Sequence, residues 1–291
     1  MTNRDIPLSL VVSTLGRTGS LQTLFESLAG QDYKNFELII VDQNNDDRLQ
    51  PLLETKKWPF TLRRIHAPGQ RGVSRGRNVG WKQAEGSIVA FPDDDCWYPP
   101  WLISRALGKI AETGADILAG RAADESGRSK NGRFESKAQW IDRANVWTTG
   151  IEWVVFFKRS ALVAVGGYNT DIGVGASTPW QACEGQDLML RAMAGGLKCF
   201  YDPSLYGHHA ELNIYNPDAV MCRKGRIYGR GCGYVLRIHG YRLGSFLKWA
   251  SRPIIKALLF LLGCNIRRFV YYRNIALGRF EGWSNRLYDS V

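Results

Sequence analysis

LSLVVSTLGRTGSLQTLFESLAGQDYKNFELIIVD, residues 8–42, holds two apolar runs either side of a helical spacing. Leu8–Ser13 is short, apolar and β-branched, which predicts a buried strand. Apolar residues at 21, 24, 25 and 28 predict a helix over Ser20–Ala29, with Ser20 as a candidate N-cap. Phe36–Val41 predicts a second buried strand, which ends in Asp42. Beyond this stretch, Leu62–Ile65 predicts a weaker third strand, Val73–Ala84 a helix and Ser87–Phe91 a further strand. This rhythm predicts an α/β fold, a Rossmann-like, mostly parallel sheet flanked by helices. Ligands of such sheets sit beyond the carboxyl ends of the strands. Acids stand at two of those ends here, Asp42 and the run Asp93, Asp94, Asp95.

The chain has 291 residues, 45% hydrophobic and 22% charged, enough apolar material for a full core. That excludes a disordered chain, a collagen-like chain and a disulfide-stapled mini-protein. The six cysteines form no C-x-x-C pair, which argues against a zinc or thioredoxin-like site. MTNRDIPLSLVVST shows no apolar signal region, so the expectation is a cytoplasmic setting with reduced thiols. Val154–Lys158 predicts another strand, residues 120–140 a polar, Gly-rich loop, and Cys183–Gly195 a loop entering a helix.

The net charge of +11 is uneven: residues 211–291 carry 14 Lys and Arg against 4 Asp and Glu. The expected division is a near-neutral body, 1–210, and a basic, aromatic, helical appendage, 211–291. The longest apolar run there, Ile254 to Cys264, is broken by Lys256 and is too short to span a bilayer, which needs about 20 residues. It suits an interfacial helix on an anionic membrane surface, or a packed helix with a solvated basic face. The expected location is therefore peripheral, at the inner face of the cell membrane.

Three consecutive carboxylates after an apolar strand repel one another unless a cation is present. Oxygen ligands suit Mg²⁺ or Mn²⁺ with substrate phosphates. The bland alternative is a solvated acidic turn before Pro99-Pro100.

The stretch LVVSTLGRTGSLQTLFESLAGQDYKNFELIIVDQNNDD and the block RGVSRGRNVGWKQAEGSIVAFPDDDCWYPPWL resemble the opening of family-2 inverting glycosyltransferases of the GT-A fold. The resemblance implies that Ser13, Thr14 and Asp42 hold the nucleotide, and that Arg77, followed by Asn78, lies near the donor. It implies that the acidic triplet is the D-x-D element, with Asp93 and Asp94 on the nucleotide-sugar and Asp95 and Asp93 on the metal. Two registers stay open, Asp93/Asp95 literally, or Asp94/Asp95 with Pro92 where many members have the leading Asp.

CEGQDLMLRAMAGGLKCFYDPSLYGHH, residues 183–209, resembles the family's second signature. It implies Asp187 as general base, with Glu184 as acceptor-binding partner or alternative base. A protonated hydroxyl is a poor nucleophile, so a positioned carboxylate is needed. Alone, this acid pair would read as helix N-terminal acids favoured by the macrodipole. His208 or, with the better offset, His209 would complete the metal site, and Trp180 would line the acceptor pocket. The resemblance covers about residues 6–210. The tail, with RIYGRGCGYVLRIHGYR and GRFEGW, resembles the C-terminal segment of bacterial members tied to polysaccharide assembly.

The expected activity is transfer of a sugar from a nucleotide-diphosphate donor to a saccharide or lipid-linked acceptor. Two other readings remain at this stage. One is a non-catalytic relative that binds the donor. The other is a basic nucleic-acid-binding protein, opposed by the acidic strand ends and by the lack of a recognised motif; no nucleic-acid partner is expected.

Overall fold

The computed structural model describes residues 7–54, 57–210 and 214–288. The chain forms two compact units, one of residues 1–168 and 188–211, the other of residues 169–187 and 212–291.

The first unit is built on β1 (Leu8–Thr14), α1 (Gly19–Ala29), β2 (Phe36–Asp42), α2 (Gln50–Glu54), β3 (Thr61–His66), α3 (Val73–Trp81), β4 (Ile88–Ala90) and β5 (Cys96–Trp97). It continues through α4 (Leu102–Thr113), β6 (Ile117–Ala122), β7 (Gln139–Trp140), a 3₁₀ turn at Glu152–Val154, β8 (Val155–Lys158) and α5 (Arg159–Val165). Helix α6 (Glu184–Ala194), whose first turn up to Asp187 belongs to the second unit, and strand β9 (Cys199–His209) follow. The sheet order is β3-β2-β1-β4-β8-β6-β9-β5, with β7 on β9.

The predicted first half of the sheet is parallel, β3 on β2 on β1 on β4. Every residue of β2 is buried, as expected of a parallel strand covered on both faces, whereas β3 carries Arg63 and Arg64 and is only partly buried. Strand β8 enters antiparallel between β4 and β6, through three residue pairs on each side. Parallel pairing resumes between β6 and β9. Helix α3 seats on β1 through glycine: a Cβ on Gly76 would fall 2.0 Å from Ser13 Oγ, and one on Gly80 2.3 Å from Val11 Cγ1.

Local bonding sets two boundaries that the spacing missed. Helix α3 stops at Trp81 rather than Ala84. The Glu85 amide is tied to Glu37 Oε1 (2.7 Å) and the Gly86 amide to Ser9 Oγ (2.8 Å), which draws the chain off the helix. The polar stretch 120–140 is a loop only in its middle, since β6 runs to Ala122 and Gln139–Trp140 pair with β9.

In the second unit, α7 (Ala219–Ile238), α8 (Leu243–Leu262) and α9 (Ile266–Ser284) carry the basic tail. Its glycines serve close helix approach. A Cβ on Gly233 of α7 would lie 2.1 Å from Arg279 O, and one on Gly278 of α9 2.0 Å from Arg226 O. At this contact Glu281 is wholly buried between Arg226 (Nη2–Oε1 2.6 Å) and Arg230 (Nε–Oε2 2.7 Å). Among the described residues, no helix is long and apolar enough to cross a membrane.

Candidate functional site

Strands β1 and β2 pair in parallel as far as Thr14 and Asp42, so their carboxyl ends deliver the first group of expected residues together. Ser13 Oγ donates to Gln43 Oε1 at 3.1 Å. Asp42 is fully buried. Its Oδ1 accepts from the Asn44 amide (3.0 Å) and Asn44 Nδ2 (2.7 Å), and its Oδ2 accepts from Arg64 Nε (2.9 Å). Thr14 Oγ1 donates to Asp94 Oδ2 at 2.6 Å, which links the end of β1 to the acidic triplet.

The triplet divides by direction. Asp93 and Asp95 gather with His209, one ligand atom from each lying within 4.8 Å of the others. Asp94 points instead to Thr14 and to Arg17 Nη1, 2.8 Å away. The literal Asp93/Asp95 spacing gathers with a histidine, whereas Asp94 of the other register does not join that group. His209 arrives because β5 pairs antiparallel with β9, Cys96 opposite His209 and Trp97 opposite His208. Successive strand residues face opposite sides. His209 Nε2 therefore lies 3.0 Å from Asp95 Oδ1, while buried His208 turns its Nδ1 to Ala123 O.

Arg77 is 2% exposed. It donates from Nη2 to Asp93 (2.8 Å) and from Nη1 to Glu152 (2.6 Å), with its guanidinium 5.2 Å from the Tyr168 ring centre. Two like charges 4 Å apart repel by about 4 kcal/mol at an effective dielectric of 20, so clustered carboxylates need cations nearby. Arg17 and Arg77 supply them, Arg17 also pairing with Asp95, and His209 lies against Asp95 as well. Burial still raises the pKa of Asp93, and raises that of Asp94 to about 6 against the Thr14 hydrogen bond and the Arg17 charge. Burial also acts upward on Asp95, but hydrogen bonding and charge from His209 and Arg17 outweigh it and lower its pKa. The hydrogen bond to Asp95 raises the pKa of His209.

The second group lies in the other unit. Glu184 and Asp187 fall in the first turn of α6, and Asp187 is 1% exposed. Cys183, just before them, takes φ of +68°, unusual for a residue with a side chain. Its carbonyl accepts from the Asp187 amide at 2.9 Å. Trp180 stacks on Tyr234, with ring centres 4.5 Å apart and planes within 3°. His239 Nε2 meets Asp187 Oδ1 at 2.8 Å.

The model of the family described as Glycosyl transferase family 2 matches residues 9–169, more than half of the chain. The chain belongs to glycosyl transferase family 2. This family 2 chain is similar to a dolichol-phosphate mannosyltransferase of Pyrococcus furiosus, 24% identical over 131 residues, 45% of this chain and 37% of that protein. It is also similar to a GalNAc(5)-diNAcBac-PP-undecaprenol beta-1,3-glucosyltransferase of Campylobacter jejuni, 26% identical over 125 residues, 41% of this chain and 40% of that one. Matches to three of the curated relatives span 31%, 37% and 59% of those proteins' own length. Among solved structures, TarS 1–349 of Staphylococcus aureus in complex with UDP superposes with a TM-score of 0.55 at 19% identity, covering 98% of this chain and 94% of that one. The mannosyltransferase PcManGT of Pyrobaculum calidifontis, in complex with GDP-Man and Mn²⁺, gives 0.64 at 14% identity, covering 96% and 88%. These likenesses show the fold, the GT-A α/β arrangement expected from the sequence.

Four residues of this family 2 chain entered only with the structure. Arg17, in the glycine-flanked loop after β1, and Arg64, next to the end of β3, pair with acids that the sequence had singled out. Glu152 and His239 carry no local signal, because tertiary packing alone brings them to Arg77 and Asp187.

Proposed function

We propose that this chain transfers a sugar, with inversion, from a nucleoside-diphosphate-sugar to a hydroxyl of a saccharide or lipid-linked acceptor. The observation that carries the reading is the meeting of Asp93, Asp95 and His209 at the strand ends of a family 2 chain. Two carboxylates and an imidazole are a donor set that fits Mn²⁺ or Mg²⁺. Such an ion would be held by Asp93, Asp95 and His209 and would neutralise charge on the departing diphosphate. Solved relatives carrying UDP, UDP-GlcNAc, or GDP-Man with Mn²⁺ support this donor class.

The residues divide the work. Ser13, Thr14 and Asp42 hold the nucleoside, with Arg64 fixing the Asp42 carboxylate. Arg77 orients Asp93, and Asp94, tied to Thr14, borders the donor. Asp187 takes the proton of the acceptor hydroxyl as that oxygen attacks the anomeric carbon and the bond to the diphosphate breaks. Glu184 and Trp180 face the acceptor, a carboxylate and an aromatic surface being suited to sugar hydroxyls and rings.

Titration calorimetry with a panel of nucleotide-sugars, with and without Mn²⁺, tests the donor site. Asp95→Ala is expected to weaken metal-dependent donor binding by about tenfold or more, about 1.4 kcal/mol, and chelation should bring wild type to the level of the variant. Equal binding by both proteins in Mn²⁺ would remove Asp95 from the metal site. Donor binding without turnover for any acceptor would favour a non-catalytic relative.

The proposed location is an anionic membrane face, reached through α8. Leu247, Ile254, Leu258 and Leu262 are exposed along one side of that helix. Lys248, Arg252 and Lys256 follow at spacings of four beside them, the pattern of an interfacial helix. Near an anionic surface each such cation contributes about 1 kcal/mol. Co-sedimentation should be strong with phosphatidylserine vesicles, weak with phosphatidylcholine, and lost in Leu258→Glu. No difference between the two lipids would refute the anionic surface.

A further inference from the structure

We infer that His239 is a positioning residue for Asp187, and that α7 is the frame on which the proposed base is mounted. The inference rests on the reading of Asp187 as the base.

Four contacts join α7 to the segment that ends in Asp187. Trp180 stacks face to face on Tyr234. Gly231 lies against the Ala182 backbone, where a Cβ would fall 2.4 Å from Ala182 O and 2.6 Å from Ala182 N. The thiols of Cys183 and Cys232 lie close enough for each to shift the pKa of the other. His239, the residue that caps α7, reaches Asp187 Oδ1 through Nε2 at 2.8 Å. At 100° per residue, positions 231, 232, 234 and 239 lie on one side of a helix. One face of α7 therefore grips this segment from Trp180 to Asp187.

The last contact differs in kind from the other three. A stacked ring, a missing Cβ and a thiol pair fix where the backbone runs. Of these four contacts, the one from His239 is made to the carboxylate itself. A carboxylate that takes a proton must hold its plane as well as its position, because a rotation about Cβ–Cγ moves the accepting lone pair away from the hydroxyl. An Nε2–H donated to Oδ1 restrains that rotation. Helix ends favour the pair: Asp187 lies in the first turn of α6, where negative charge is stabilised, and His239 at the carboxyl end of α7, where positive charge is. The side chains of His239 and Asp187 are 11% and 1% exposed, so bulk water competes little for the bond.

Kinetics of three substitutions, each with its melting temperature, test the assignment beside Asp187→Asn. His239→Phe keeps ring volume and loses the N–H. It is expected to lower kcat by roughly 10- to 100-fold, the scale of a misplaced catalytic group, while KM for the donor stays within about twofold. His239→Gln carries an amide N–H near the position of Nε2 and should restore kcat to within about fivefold of wild type. His239→Asn carries one that stops short of Asp187 and should not. This Gln-over-Asn order also serves if the Phe variant melts early, since both amides are polar and similar in bulk. Wild-type kcat in a stable His239→Phe, or equal kcat in the Gln and Asn variants, would overturn the inference. Loss of turnover in Asp187→Asn beside a fully active His239→Phe would reject His239 alone. Full turnover in Asp187→Asn would reject the base and its positioning residue together.

Discussion

Asp187→Asn is expected to lower kcat for sugar transfer by about 10²- to 10⁴-fold, the usual contribution of a positioned general base, or about 3–5 kcal/mol of barrier. The donor Kd should stay within about twofold, because the expected nucleotide and metal ligands are other residues. The amide matches the carboxylate in shape and can still meet His239, so the substitution removes proton acceptance and little else. Single-turnover kinetics at saturating donor and acceptor isolate this step from binding. Unchanged turnover would move the role of base to Glu184, the other acid in the first turn of α6.

Glu281→Ala is the second large effect, and it falls on stability. Removing one member of a buried charge cluster costs about 3–5 kcal/mol, because the charges left behind keep their desolvation penalty. Here two guanidinium groups, Arg226 and Arg230, would face an apolar methyl. Urea unfolding followed by tryptophan fluorescence should report the loss. Replacing all three residues by apolar ones of similar volume should recover much of it, since such exchanges are often neutral or stabilising. Recovery would show that the penalty comes from unpaired charge. A drop below 1 kcal/mol in the single variant would mean that water reaches the cluster.

The same residue predicts an acid limb. Burial acts to raise the pKa of Glu281, but hydrogen bonds from Arg226 and Arg230 bring it from the ordinary 4.5 down to about 2. A depressed carboxylate stabilises the fold above its unfolded pKa and loses that contribution as pH falls. Acid unfolding of wild type should therefore steepen between about pH 4.5 and 2. Glu281→Ala should lack that component.

Much of the architecture was legible because the signals were local. Leu8–Ser13, Phe36–Val41 and the helix between them are set by apolar spacing alone, and their parallel order follows from the α/β rhythm. The direction of β8 was not legible, since an apolar strand reads the same whichever way its neighbours run. Helix α4 and strand β6 went unread although both are regular. The proposed cation-ligand set was legible only through family resemblance. His209 stands more than a hundred residues from Asp95, and the β5–β9 pairing that joins them involves two residues of β5. Asp187 could be named from its motif, but its partner could not, because the end of α7 gives no hint of what it meets. The glycine spacing in α7 was visible, but the helix it lets approach was not.

Strand β3 closes one end of the sheet order and carries Arg63 and Arg64 side by side. Alternation along a strand sends them to opposite faces, Arg63 to Glu37 and Glu85, Arg64 to Asp42 and Asp47. A sheet edge is an open template for another chain, and charged side chains are a common means of blunting it. A second copy adding itself to β3 would bring four guanidinium groups together along one seam and draw Arg64 away from the acid it steadies. The side chain that holds Asp42 thus also puts charge on the open edge, so the order of the proposed nucleoside site and the character of that edge rest on the same arginine.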